Sequence, residues 1–110
     1  SRGLGDVYKR QYLAHALGCA LLINAIPHCV NGLSGQAFQS PFASPPGVGE
    51  SSPVVNVLWG ASNLLVGSLL LCKVGDFSAG VNLDTALCVI VALATAVVLA
   101  NYFGKVRHQA

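Results

Sequence analysis

Three stretches of this chain contain no charged residue at all: Tyr12 to Val30, Pro53 to Cys72 and Thr85 to Phe103, each 19 or 20 residues long. At about 1.5 Å rise per residue, a helix of that length covers about 30 Å, the thickness of a bilayer's hydrocarbon core. Lipid offers no hydrogen bonds to a bare backbone, so stretches of this kind satisfy their peptide groups internally, as helices. A soluble bundle would require a polar face on every helix, and Thr85 to Phe103 offers only Thr85, Thr95 and Asn101 for one. Charged residues make up 9% of the chain, against about 25% in an ordinary soluble domain. The fold expected is therefore all-α, an integral membrane bundle of three transmembrane helices with the lipid bilayer as its first partner. A basic nucleic-acid interface is excluded by the same shortage of charge.

The boundaries carry their own chemistry. Ser51 and Ser52 offer N-cap hydroxyls, and Pro53 suits the first helical position, where an amide hydrogen has no intrahelical partner. Lys73 and Gly75 are expected to end that helix, Asp84 to cap the next, and Gly104 to close it ahead of Lys105, Arg107 and His108. The first span is the least regular, with Pro27 expected to kink or end it. Ala16-Leu17-Gly18-Cys19 also resembles a lipoprotein cleavage site, but the apolar run continues past Cys19, which favours a helix that spans.

Ser1 to Gln11, SRGLGDVYKRQ, resembles one reading frame of an adapter used to prepare sequencing libraries, so residues 1–11 are set aside as an artefact and 12–110 read as a single transmembrane domain. Without them the formal charge of +2 falls to zero, with Lys73, Lys105 and Arg107 against Glu50, Asp76 and Asp84. Three spans place the 31–52 loop on the same side as Lys105 and Arg107, and the positive-inside rule then puts the C-terminus in the cytoplasm.

In the second span Asn56, Gly60, Asn63 and Gly67 follow at steps of four, three and four, which sets two amides and two glycines on one stripe. Glycine permits close backbone approach, and an interhelical Asn hydrogen bond contributes about 0.5 to 2 kcal/mol. The third span carries Cys88, Ala92, Ala96, Ala100 and Gly104 at steps of four, a second small-residue ladder. Helix packing accounts for both, and association with a second copy or another membrane protein is a further expectation. A sharper reading joins Asn24, His28, Asn56 and Asn63 into one polar intramembrane pocket for a head group, a quinone or a small solute.

Twelve of the 22 residues from Asn31 to Ser52 are Gly, Pro or Ser, which argues against a helix or a long strand there. Phe38 and Phe42 argue against a freely solvated linker and favour contact with the bilayer interface or the bundle's end, beside Trp59. The loop is read either as a structural connector or as a lid or docking segment. The stretch from His28 to Gly60, with Gly32, Pro41-Phe42-Ala43, Ser51-Ser52-Pro53, Asn56 and Trp59, resembles the signature of small bacterial multi-pass membrane proteins to which no activity is attached. That resemblance covers about a third of the chain and implies the bacterial inner membrane. A looser likeness is to DoxX-type proteins, four-helix membrane proteins tied in some cases to redox processes; three spans depart from that pattern.

No CxxC, HExxH, GxSxG or phosphate-binding loop occurs. Cys19, Cys29, Cys72 and Cys88 lack metal-ligand spacing, with a Cys72–Cys88 disulfide as a minor alternative. His15 and His28 stand 13 residues apart, about 20 Å along one helix, too far to share an iron. No span is expected to hold a carboxylate, which disfavours a proton-coupled transporter. The chain is thus expected to be non-enzymatic, without cofactor or metal: an accessory or assembly component first, a redox or quinone-associated protein built on His28, Asn24 and Trp59 second, and a component of a small-solute transporter third.

Overall fold

The computed structural model describes residues 2–108. In chain order it contains α1 (Arg2–Leu33), β1 (Phe38–Gln39), β2 (Glu50–Ser51), α2 (Pro53–Lys73) and α3 (Leu83–His108). Tyr8–Leu33, Pro53–Lys73 and Leu83–His108 are each long and apolar enough to cross a bilayer, the architecture of a multi-pass membrane protein. The long dimension is 54 Å and the others 24 and 23 Å, so the molecule is longer than a hydrocarbon core of about 30 Å is thick.

Helix α1 sits in the middle, packed against α2 along one face and α3 along another, while α2 and α3 scarcely meet. The α1–α2 seam is close because glycine lines it on both sides. A Cβ at Gly67 would stand 2.8 Å from the Gly18 carbonyl oxygen, and one at Gly18 would stand 2.7 Å from that of Gly67. At the other end a Cβ on Gly32 would meet the Pro53 carbonyl at 2.7 Å, and midway one on Gly60 would press on Cys29 Sγ at 2.5 Å. The only buried residues of α2 are Asn56, Gly60, Asn63 and Gly67, the stripe legible in the sequence. The ladder on α3 is looser. Cys88 is buried, Ala92 and Ala96 are half-buried, Ala100 is exposed, and a Cβ on Gly104 would touch nothing.

Several boundaries differ from expectation. Pro27 lies inside α1, which continues to Leu33. Pro27 has no N–H to give the Ile23 carbonyl one turn earlier; separately, Asn31 Nδ2 donates to the Pro27 carbonyl at 2.7 Å. Helix α3 runs past Gly104 to His108. Its N-cap is Asn82, whose Oδ1 accepts from the Thr85 amide at 2.8 Å, so Asp84 does not cap the helix and turns inward. The second helix starts as its sequence suggests, with Ser52 accepting from Val55 N and Pro53 in the first turn. The segment from Arg2 to Gln11 is helical and continuous with the span behind it.

The loop folds back as a two-stranded antiparallel ribbon, Phe38 opposite Ser51 and Gln39 opposite Glu50. The end of α3 ties it down: Tyr102 Oη donates to the Gly47 carbonyl at 2.8 Å, and the Arg107 guanidinium donates to Gln39 Oε1 at 3.1 Å while lying over the Phe38 ring.

Substituting leucine for Gly67 should therefore open the seam, lowering stability in detergent unfolding by about 1 to 3 kcal/mol. Gly104→Ala, where a Cβ meets nothing, should be neutral or stabilising by less than about 1 kcal/mol. Equal losses at the two positions would refute a glycine-dependent seam.

Candidate binding site at the loop end

The site begins with one amide. Asn56, fully buried one turn into α2, directs its Nδ2 at the carbonyls of Phe38, Ser51 and Ser52 at 3.0, 3.1 and 3.1 Å. Its Oδ1 lies 2.7 Å from His28 Nδ1. One side chain thereby joins α1, both ribbon strands and the start of α2. Phe38, Trp59 and Phe103 surround the His28 ring edge-on, with centroids 5.4, 6.3 and 6.2 Å away.

Beside this cluster is a cavity of about 350 Å³. Helix α1 lines it with Asn24 and His28, the loop with Gln39, Ser40, Pro41, Pro46 and Gly47, α2 with Trp59, and α3 with Leu99, Tyr102 and Phe103. A second groove of about 380 Å³, almost wholly apolar, runs between α1 and α3 past Ile23, Ile26, Pro27, Ala96 and Ala100, and it shares Leu99 and Phe103 with the first.

The four polar residues expected to form one pocket separate into two pairs. His28 bonds Asn56; Asn24 Nδ2 donates to Asn63 Oδ1 at 3.0 Å, and Asn63 Nδ2 donates to the Trp59 carbonyl at 2.8 Å. Only Asn24 and His28 face the cavity. Asn56 cannot, because its amide is spent on the loop, and Asn63 looks instead toward a smaller recess beside Leu21 and Val66. Of the loop aromatics, Phe38 is buried, while Phe42 is exposed and stands edge-on to Trp59 at 5.1 Å. Gln39, Ser40, Tyr102 and Arg107 were not legible as site residues, since nothing in their spacing says that the loop folds onto the end of α3.

At the opposite end lies a second polar cluster that the sequence reading missed. His15 is fully buried, with Nδ1 2.6 Å from Asp84 Oδ2 and Nε2 2.6 Å from the Val74 carbonyl. Both facing atoms accept, so either the imidazole carries two hydrogens or the Asp84 carboxyl carries one. Gln11 braces the pair, donating to Asp84 Oδ2 at 3.3 Å and to the Asp76 carbonyl at 2.9 Å. The residue that ends the segment set aside as adapter is thus in contact with the rest of the fold. Asp84 stands in the first turn of α3, just ahead of the uncharged stretch that begins at Thr85, and is buried there. The available signal was Asp84 itself, one step of four before Cys88 and so the first rung of the α3 ladder. The four cysteines are free; Cys88 faces Cys19 across α1 and α3, while Cys72 is exposed, so Cys72 and Cys88 do not pair. No cluster of three or more metal-ligating side chains occurs among the described residues.

Comparison with protein families, with curated proteins and with solved structures finds no match to this chain.

Removing one partner of a buried hydrogen-bonded pair leaves the other desolvated and unpaired, at a loss of about 1 to 3 kcal/mol, more where the groups are charged. Asp84→Ala should lower the unfolding midpoint in detergent accordingly. The double variant His15→Leu, Asp84→Leu should recover most of that loss, and double-variant stability no better than that of Asp84→Ala would show that the pair is not what stabilises this end.

Proposed function

We propose that this protein is a non-enzymatic component of the bacterial inner membrane that holds a ring-bearing amphiphile in the loop-end cavity. The observation that carries the proposal is the composition of that cavity: His28, Trp59, Tyr102 and Phe103 supply flat walls, and Asn24, His28 and Gln39 supply polar groups. Ligand sites of this kind are largely apolar, with a few placed polar groups that fix orientation. The neighbouring apolar groove shares Leu99 and Phe103 with it and has the lining that suits the ligand's tail. A quinone-type molecule, with a flat head and an isoprenoid or alkyl tail, has the matching chemistry. Holding it without converting it is the accessory role. With Lys105 and Arg107 on the cavity side, the positive-inside rule sets this end toward the cytoplasm.

One further observation favours a protein partner as a second reading. Among the helices α3 packs chiefly on α1, and Val89, Ile90, Leu93, Val97 and Val98 are all exposed. Lipid or another subunit can cover that face, and crosslinking in native membranes would identify a subunit.

Trp59 is the only tryptophan and stands in the cavity wall. Protein purified from membranes without added ligand should release one ring-and-tail compound on solvent extraction, identified by mass spectrometry. Reloading the extracted protein should change Trp59 emission saturably. Release of bulk lipid alone, with no saturable change, would refute the proposal.

A further inference from the structure

We propose that the cavity selects a ligand whose ring bears a hydroxyl, a hydroquinone or phenol, over the oxidised form that presents only a carbonyl. This rests on the reading that the cavity takes a ring amphiphile, and it follows from which atoms the hydrogen-bond network leaves free.

The three carbonyls of Phe38, Ser51 and Ser52 surround one end of the Asn56 side chain. Carbonyls accept, so that end is the NH2 group, and the end turned to His28 is the oxygen. An amide oxygen has no hydrogen to give. The 2.7 Å contact therefore requires that His28 Nδ1 carry the hydrogen. The Asn56 contact thus selects the Nδ1–H tautomer, and in that neutral ring Nε2 is a bare acceptor. Glu50, the carboxylate on the ribbon, pairs with Arg107 and not with the imidazole.

Nε2 has no hydrogen-bond partner among the described residues. The one sealed side-chain polar atom left without a partner among them is Asp84 Oδ1, at the other end of the bundle. His28 Nε2 is thus open, although the residue is only 2% exposed, and the space beside the ring is the cavity.

One turn earlier on α1 the same logic repeats. The Trp59 carbonyl takes the Asn63 NH2 group, so Asn63 Oδ1 is the acceptor and Asn24 gives it a hydrogen. Asn24 Oδ1 then remains as a second free acceptor on the cavity wall. At the loop wall the order reverses. Arg107 holds Gln39 Oε1 and leaves the Gln39 NH2 group as a donor. A hydroxyl meets both demands, donating to His28 Nε2 while its oxygen accepts from Gln39. A quinone carbonyl would set lone pair against lone pair at His28, and a buried acceptor deprived of a donor is disfavoured.

The test uses the full chain in lipid nanodiscs, extracted free of endogenous ligand, with a decyl-tailed benzoquinone and its anaerobically reduced hydroquinone as probes. Retained probe is measured by mass spectrometry across a concentration series, against empty nanodiscs. The hydroquinone should bind at least tenfold more tightly. In parallel, nitrogen NMR of histidine-labelled protein should show His28 Nδ1 protonated and Nε2 unprotonated, a readout that needs no variant to fold. Equal affinities, tighter quinone binding, or a His28 ring protonated at Nε2 would each overturn the selectivity while leaving the cavity's occupant in place. Retention of neither probe above empty nanodiscs would overturn the selectivity and the binding proposal together.

Discussion

The loop end of this protein depends on the side-chain amide of Asn56. In hydrocarbon an unsatisfied polar group is costly, and an Asn on a transmembrane helix must find partners within the protein. Asn56 finds one on α1 and three on the loop. The same contacts that satisfy the amide bring Phe38 under Arg107, place the ribbon against His28 and close one wall of the cavity. Asn56 thus fixes the loop against both α1 and the start of α2, at one end of a seam that its glycines keep close.

The three helices were legible because the hydrocarbon thickness imposes length and composition together. The α1–α2 seam was legible because Asn56, Gly60, Asn63 and Gly67 keep helical spacing, and glycine at a seam leaves a periodic mark. Of the two outcomes expected at Pro27, a kink or an end, the end is excluded, because α1 continues to Leu33. Asp84 misled: a carboxylate at a helix start reads as a cap, yet Asn82 took that role and released it inward.

The candidate site was half legible. Asn24, His28 and Trp59 lie on helices, where spacing fixes the face. Gln39, Tyr102 and Arg107 enter through contacts between a Gly/Pro-rich loop and a helix end more than fifty residues later in the chain, such as Tyr102 with Gly47. No local pattern encodes a pairing of that kind. Cavity shape, and with it the assignment of free donors and acceptors, exists only once those distant pieces have met.

The sequence separation of the polar partners also sets an order of biogenesis. His28 waits 28 residues for Asn56, and Asn24 waits 39 for Asn63, so the arrival of α2 satisfies both. His15 waits 69 residues for Asp84. During synthesis the first helix therefore enters the bilayer before the last helix supplies the Asp84 partner of His15. A ribosome stalled before Leu83 would leave a two-helix hairpin with the partners of His28 and Asn24 already in place, but with no Asp84 for His15 and no Tyr102 or Arg107 to hold the loop.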